Sequence, residues 1–172
     1  MTPAARLVET LARRGWTIGV AESLTGGLVA ASLVDVPGAS RVLRGGVVAY
    51  ATDLKASVLG VDPELLVRRG AVDPDVAAQM AAGVVRVLHA DVGVATTGVA
   101  GPDPQDGHPP GLVHVAVRTP ESTAGRTLHL PGGRDAVRRA SAHAALVLAL
   151  RLVEDDEDDE DGGEDGGAGP SA

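Results

Sequence analysis

The sequence predicts a single α/β domain in which helices and strands form layers. Helical and strand-like stretches alternate along the first 153 residues, which is the pattern of a layered α/β fold. The chain has 172 residues, 44% of them hydrophobic, and a mean hydropathy of +0.12. That is enough apolar material for one buried core. No linker-like stretch divides residues 1–153, so we expect one domain there.

The first half of the chain is expected to alternate helix and strand. Leu7, Val8 and Leu11 stand at helical spacing, and Gly15 ends that helix. Short runs rich in β-branched residues mark the strands. The predicted elements are a helix over 4–14, a strand over 17–21, a helix over 25–34, a strand over 46–50 and a short helix over 52–59.

The second half begins with a longer helix over 74–89. Asp73 is its expected N-cap, and Pro74 occupies its first position. A strand over 91–96 follows. Two more strands, over 112–119 and 123–130, are joined by a short turn and form a hairpin; a helix over 133–153 closes the domain.

The acidic residues are concentrated at the C-terminus. Residues 154–165 hold 10 of the 23 acids, and the remaining 13 acids face 15 bases, so residues 1–153 carry a net charge of +2 against −8 for the chain. A block of like charge without apolar residues cannot offset its ordering entropy. We therefore expect residues 154–172 to form a disordered, acidic, glycine-rich tail. We expect this tail to keep the protein in solution, and the alternative is that it docks onto a partner.

Composition excludes several classes of function. With no cysteine in the chain, disulfides, thiolate zinc sites and cysteine nucleophiles are excluded. No apolar run reaches the roughly 18 residues of a membrane span, and the N-terminus lacks a secretory signal, so we expect a cytoplasmic protein with no membrane partner. The five histidines show no ligand spacing, which predicts no metal site. Aromatic residues are scarce and no basic stripe is present, which argues against nucleic acid.

Lys55 stands out because it is the only lysine among 15 basic residues. Arginine can replace lysine where only positive charge is needed, but not where an amine must lose a proton. If Thr52 caps the short helix, Lys55 lies in its first turn, where the helix dipole lowers its pKa toward that of a general base. The alternative is a solvated surface lysine.

Three polar, glycine-rich segments follow predicted strands at residues 23–27, 50–55 and 97–102. Ligands of α/β sheets bind beyond the carboxyl ends of the strands, so parallel strands would bring these segments around one pocket. Ser23 or Thr25 is then either an exposed hydroxyl or only an N-cap. Gly26 and Gly27 either form an anion cradle or allow close packing. Tyr50 is either a half-buried aromatic or part of the pocket rim.

Two arginines open the closing helix on one face. Arg134 and Arg138 are four residues apart, a spacing suited to a phosphate or carboxylate. The alternative is an ordinary solvated basic face.

Four blocks together resemble the CinA C-terminal domain family, in the family's order and over about residues 5 to 152. These are AESLTGG at 21–27, GGVVAY at 45–50 with Lys55, TGVAGP at 97–102 with Pro110 and Gly111 after it, and Gly133-Arg134 with Val137-Arg138. The resemblance implies a three-layer α/β/α sandwich with a mixed, mostly parallel sheet, in a homo-oligomer such as a dimer. Full-length members of the family carry a further N-terminal domain, which this sequence does not contain, so we expect the stand-alone form.

The resemblance further implies nicotinamide-nucleotide amidohydrolase activity, also called NMN deamidase. Such an enzyme converts nicotinamide mononucleotide to nicotinate mononucleotide and ammonia in pyridine nucleotide recycling, without a cofactor. The implied catalytic residues are Ser23 as nucleophile and Lys55 as its base, and we expect Tyr50 to relay a proton or to orient the lysine. The substrate-binding residues we expect are Thr25, Gly26, Gly27, Thr97, Gly98 and Arg138, with Glu22 behind them.

One loop departs from the family pattern. Residues 103–110 lack the usual glycine pair, and His108 stands where lysine is common. That departure keeps two alternatives open. One is a nucleotide-binding or regulatory module that retains the pocket without the reaction, and the other is a hydrolase of a different amide.

Overall fold

The computed structural model describes residues 1–162, with side chains as far as residue 156. The helices in this range are α1 (Pro3–Arg14), α2 (Leu28–Val34), α3 (Thr52–Ser57), α4 (Pro63–Arg69), α5 (Pro74–Leu88) and α6 (Arg134–Gly162). The strands are β1 (Ile18–Glu22), β2 (Leu43–Val48), β3 (Val92–Gly98), β4 (Leu112–Arg118) and β5 (Thr123–His129). A 3-10 turn at Ala39–Arg41 precedes β2.

The strands form one mixed sheet in the order β2-β1-β3-β4-β5. The first strand, β1, pairs in parallel with both β2 and β3. The hairpin strands β4 and β5 pair antiparallel with each other, and β4 pairs antiparallel with β3. Among the described residues, only β4 therefore runs against the other strands. The mixed sheet is confirmed, and the carboxyl ends of β1, β2 and β3 lie at the same edge.

Helices cover both faces of this sheet, so the three-layer α/β/α architecture is confirmed. One face packs against α1, α2 and α6 through a core that includes Val20 of β1 and Leu146 of α6. The other face packs against α4 and α5 through a second core that includes Ala21 of β1 and Met80 of α5. Consecutive strand residues point to opposite faces, which is why Val20 and Ala21 belong to different cores. A Cβ at Gly93 would overlap the carbonyl oxygen of Ala81, so glycine lets α5 pack directly on β3.

Helix α4 is the element that sequence analysis missed. Its start carries the same signal that identified α5. The Asp62 carboxylate accepts a bond from the Glu64 N–H, and Pro63 occupies the first turn, just as Asp73 and Pro74 do in α5. The helix has seven residues, too few for the helical periodicity on which the prediction relied.

The second predicted strand is shifted. It was expected over 46–50 but ends at Val48, so Tyr50 lies beyond the strand. The predicted helix over 25–34 begins only at Leu28, because residues 23–27 form turns after β1. Apart from the C-terminal end of α6, the remaining predicted elements agree with the structure to within a few residues at each end.

The predicted disorder from residue 154 onward is wrong for residues 154–162, which continue α6. The Glu154 carboxylate pairs with Arg6 at 2.7 Å. Buried Asp156 accepts bonds from the hydroxyls of Thr119 at 2.6 Å and Ser122 at 2.8 Å, in the turn between β4 and β5. These contacts supply the fixed partners that a run of acidic residues lacks by itself. The rest of the predicted tail lies outside the described residues.

The described helices include none that combines the length and the hydrophobicity needed to cross a bilayer.

Candidate active site

A cavity of about 380 Å³ lies beyond the carboxyl ends of β1, β2 and β3. Segments that follow all three strands contribute to it, as expected for parallel strands. Among its lining residues are Ser23, Leu24, Tyr50, Lys55, Ala71, Val72, Thr97, Gly98, Gly101, Asp103, Gln105 and Arg134. The three segments that the sequence placed around one pocket are therefore brought together.

Ser23 and Lys55 are in direct contact in this cavity. The Lys55 Nζ lies 3.1 Å from the Ser23 Oγ and donates a second bond to the carbonyl oxygen of Ala49 at 2.8 Å. Lys55 is 1% exposed and Ser23 is 8% exposed. The Ser23 N–H donates to the carbonyl of Thr96 on β3, so the serine is fixed directly after its strand.

Burial lowers the pKa of Lys55 from 10.5 to about 8. A charged ammonium loses its hydration when buried, and within the described residues no carboxylate forms an ion pair with Lys55 to compensate. The direction agrees with the sequence prediction, but the cause differs. Lys55 lies in the last turn of the six-residue helix α3, so desolvation, not the helix dipole, lowers its pKa.

Glu22 organises the turns that follow β1. Its carboxylate is 1% exposed and accepts bonds from the N–H groups of Gly27 at 2.9 Å, Val29 at 3.1 Å and Ala30 at 2.8 Å. These are donors at the start of α2 that the helix itself leaves without acceptors. Glu22 therefore caps the N-terminus of α2. Its bond to the Gly27 N–H also fixes the C-terminal end of segment 23–27.

Thr25, Gly26 and Gly27 are not among the residues that line the cavity, and their contact with the substrate stays a prediction. The Gly26 N–H donates to the Ser23 carbonyl, and the Gly27 N–H donates to Glu22. The Thr25 hydroxyl is fully buried and bonds to the Thr96 hydroxyl at 2.8 Å. Gly26 and Gly27 have φ values of 58° and 101°, so they are needed to form the turn.

The two arginines of α6 have separate tasks. Arg138 is not among the residues that line the cavity, and its role as a substrate ligand stays a prediction. Its guanidinium donates to the carbonyls of Leu24 and Thr25, both at 2.9 Å. Arg134 does line the cavity and donates to the Gly101 carbonyl at 2.8 Å. Their four-residue spacing predicts that Arg134 and Arg138 share one helix face. The loop that each guanidinium contacts depends on the tertiary structure.

Tyr50, Thr97 and Gly98 line the cavity as predicted, but Tyr50 does not orient the lysine. Tyr50 is 60% exposed, not half-buried, and its hydroxyl accepts a bond from Arg134 at 3.0 Å. Lys55 instead bonds to Ser23 and Ala49. The Thr97 hydroxyl donates to the Ala71 carbonyl at 2.6 Å, which ties β3 to the connection between α4 and α5.

Sequence analysis missed several lining residues. Ala71 and Val72 come from the connection that follows α4, and they were missed because α4 was missed. Asp103 and Gln105 belong to the loop after β3, where their positions depend on the path of the loop. In the part of the chain that the structure describes, no cluster of three or more histidine, aspartate or glutamate residues could hold a metal ion.

The fold and this cavity define an α/β protein with a buried serine–lysine pair at the carboxyl edge of its sheet. Serine–lysine pairs are one of the arrangements with which hydrolases activate a serine for attack on a carbonyl. The chain belongs to the CinA C-terminal domain family, whose model matches residues 1–153.

Individual relatives agree with the family. The chain is 51% identical over 143 residues, 83% of its length, to a CinA-like protein of Frankia casuarinae. It is 46% identical over 153 residues, 88% of its length, to a putative competence-damage inducible protein of Geobacillus kaustophilus. The match covers 33% and 37% of those relatives, so the chain spans about a third of their length.

Solved structures share the fold over nearly their whole length. The competence/damage inducible protein CihA from Agrobacterium tumefaciens superposes with a TM-score of 0.82 and 36% identity, over 87% of this chain and 93% of that one. A competence or damage-inducible protein from Enterobacter asburiae gives a TM-score of 0.85 and 30% identity, over 88% and 96% of the two chains.

Proposed function

We propose that this chain hydrolyses the carboxamide of nicotinamide mononucleotide to nicotinate mononucleotide and ammonia. The observation that carries the proposal is the 3.1 Å contact between the Ser23 hydroxyl and the buried Lys55 amine. An amide is a weak electrophile, so a serine that attacks it needs a neighbour to remove its proton. The family resemblance contributes the identity of the substrate.

In the first half of the proposed reaction, the neutral Lys55 amine accepts the proton of the Ser23 hydroxyl. The oxygen attacks the carboxamide carbon and forms a tetrahedral intermediate. The Lys55 ammonium then returns the proton to the amide nitrogen, the carbon–nitrogen bond breaks, and ammonia leaves. The nicotinoyl group remains on Ser23 as an ester.

In the second half, Lys55 accepts a proton from a water molecule, which attacks the ester carbon. Collapse of the second intermediate breaks the bond to the Ser23 oxygen, and that oxygen takes back the proton from Lys55. Nicotinate mononucleotide leaves, and both side chains return to their starting protonation states. The amine must be neutral at the start of each half, which the lowered pKa of about 8 favours.

The remaining parts of the cavity supply binding groups. Arg134 is the arginine that lines it, and within the described residues its guanidinium has no carboxylate partner, so it is our choice for the phosphate. The Leu24 N–H follows the nucleophile and, among the described residues, has no hydrogen-bond acceptor, so we assign it to the oxyanion. Thr97 and Gly98 remain our proposals for ribose contacts. The homo-oligomer is also a proposal, which light scattering can test.

The decisive experiment is ammonia release from nicotinamide mononucleotide by the purified full chain, without added metal. Nicotinamide riboside and free nicotinamide, tested alongside, show whether the phosphate and ribose are required. Ser23→Ala is expected to abolish release. Ser32→Ala is the matched control, because its hydroxyl bonds to the Leu28 carbonyl on α2, away from this cavity.

Two results would change the assignment. Calorimetric binding of the nucleotide without ammonia release favours the binding or regulatory module instead. Turnover of another pyridine carboxamide in preference to the nucleotide keeps the serine–lysine pair but moves the activity to a different substrate.

A further inference from the structure

The Lys55 amine is also suited to a reaction that does not involve Ser23 as nucleophile. We propose that Lys55 forms a reversible imine with aromatic aldehydes that carry a phosphate, of which pyridoxal 5′-phosphate is the probe, and that this imine blocks the cavity. The inference goes beyond the amidase proposal because it requires only the amine, the cavity and a cation for the phosphate.

The first requirement is an amine with a free electron pair. Lys55 Nζ has two hydrogen-bond partners, the Ser23 hydroxyl and the Ala49 carbonyl, and both are uncharged. When the neutral amine donates one N–H bond to each of them, and does not accept the serine proton, its electron pair is left for an electrophile. With a pKa of about 8, about a tenth of the amine is neutral at pH 7 and about half at pH 8.

The second requirement is space and recognition. Lys55 lines a cavity of about 380 Å³, within the range of roughly 300–1,000 Å³ that small-molecule sites occupy. Arg134 lines the same cavity, and its guanidinium, held by the Gly101 carbonyl and the Tyr50 hydroxyl, keeps further N–H groups for a phosphate. An aromatic ring with an aldehyde on one side and a phosphate on the other has the two groups that this lysine and arginine recognise.

The reaction needs no further reagent. The Nζ electron pair forms a bond to the aldehyde carbon, and one Nζ proton passes to the carbonyl oxygen to give a carbinolamine. The second Nζ proton then leaves with the hydroxyl group as water, which breaks the carbon–oxygen bond and forms the carbon–nitrogen double bond with no change in oxidation level. The Ser23 hydroxyl, 3.1 Å from Nζ, lies within reach for these proton transfers. The bound aromatic ring then occupies the cavity that Ser23 and Lys55 line, so a nucleotide can no longer reach Ser23.

The chain makes this unusually simple to test, because Lys55 is its only lysine. The full chain is incubated with pyridoxal 5′-phosphate at pH 8 and reduced with borohydride, and the adduct is located by peptide mass spectrometry. We expect one pyridoxyl group on Lys55, and none at residue 55 in Lys55→Arg or Lys55→Met. Any adduct on the α-amine of Met1, which is exposed, is common to all variants and is subtracted.

Arg134 is tested by comparing the aldehyde with and without its phosphate. We expect pyridoxal to require about tenfold higher concentration than pyridoxal 5′-phosphate, the advantage of one charge-assisted contact. Arg134→Met is expected to reduce the ratio of the two concentrations, whereas Arg139→Met, which changes an exposed arginine of the same helix paired with Asp135, leaves the ratio unchanged. Absence of a Lys55 adduct in the wild-type chain, or equal reactivity of the two aldehydes with it, overturns the proposal.

Ammonia release measured on the same samples separates this proposal from the amidase. Ser23→Ala is expected to lose turnover yet still form the adduct. A chain that turns over nicotinamide mononucleotide without forming the imine contradicts the imine alone. A chain that forms the imine and releases no ammonia contradicts the amidase alone.

Discussion

Glu22 and Lys55 are both almost completely buried beside Ser23, but they differ in how their charges are compensated. Glu22 precedes Ser23 in the chain, and Lys55 contacts its hydroxyl. Glu22 accepts three backbone N–H bonds from the start of α2. Lys55 meets only a hydroxyl and a carbonyl. The carboxylate is compensated by the donors around it, whereas the ammonium is not. One buried charge holds the loop in place, and the other is left ready to give up its proton.

The difference has a cost in stability that depends on pH. In the unfolded chain Lys55 keeps its ordinary pKa of 10.5, and in the folded chain burial lowers the pKa to about 8. Below pH 8 both states carry the proton, and the folded state bears the full penalty of a buried charge. Between pH 8 and 10.5 the unfolded state binds more protons, so this contribution to stability rises with pH until the penalty is gone.

The largest expected effect is that of Lys55→Met. It should reduce ammonia release by about 10²–10⁴-fold, because the general base is lost. At pH 7 the same variant should be more stable by ~1 kcal/mol, since removal of the buried charge outweighs the two lost hydrogen bonds. Parallel assays of activity and thermal unfolding check both. Lys55→Arg restores a cation but no base, so activity in that variant would contradict the role of Lys55.

Glu22→Gln tests the other side of the comparison. The amide offers only one acceptor oxygen to three N–H donors, so the free energy of unfolding should fall by about 2 kcal/mol. Turnover per folded molecule should fall less than in Lys55→Met, since Glu22 acts through the loop. The matched control is Glu9→Gln on the exposed side of α1, with an expected change within about 0.5 kcal/mol. Equal stability of the two variants in urea unfolding would show that the N–H bonds contribute nothing.

The pH dependence of turnover sharpens the account of Lys55. Only the neutral amine can accept the serine proton, so kcat/KM should rise about tenfold per pH unit below pH 8 and level off above it. The profile is measured by ammonia release in buffers of constant ionic strength. A rate that stays flat from pH 6 to 9 would remove Lys55 as the titrating base.

The smallest effects concern the two arginines of α6. Arg138 holds a loop in place, as Glu22 does, whereas Arg134 lines the cavity, as Lys55 does. Arg134→Met should raise KM for nicotinamide mononucleotide by up to about tenfold with little change in kcat, because a contact to the phosphate is lost in ground and transition states alike. Arg138→Met should lower stability by ~1 kcal/mol through its two carbonyl bonds. Arg139→Met serves as the control for both. A larger KM effect in Arg138→Met would reverse our assignment.

The proximity of Ser23 and Lys55 could be expected from the sequence because it depends on strand direction. Once the strands before them are parallel, both residues must follow at one edge of the sheet. The placement of Thr25, Gly26 and Gly27 could not be read the same way. Their glycine-rich pattern suits an anion cradle and a tight turn equally, and in the structure the Ser23 carbonyl accepts the Gly26 N–H and Glu22 accepts the Gly27 N–H.

Other features depend on long-range contacts that local pattern does not contain. Arg134 and Arg138 differ only in the loops they meet, and those loops come from distant parts of the chain. Residues 154–162 look like a solvated acidic run, but Asp156 bonds to the turn between β4 and β5. In contrast, helix α4 could have been predicted from the sequence, since Asp62 and Pro63 repeat the N-cap and proline that begin α5.

The central claim is that burial lowers the pKa of Lys55 to about 8, so that about a tenth of the amine is already neutral at pH 7 while it touches the nucleophile. Growth with lysine labelled with ¹³C at Cε alone gives a single side-chain signal, because the chain has one lysine, and its chemical shift can be followed by NMR across pH 6 to 12. We predict a titration midpoint of about 8. A midpoint at the ordinary value near 10.5 would contradict the account, because the side chain would then be a fully charged ammonium at the pH where the reaction must begin.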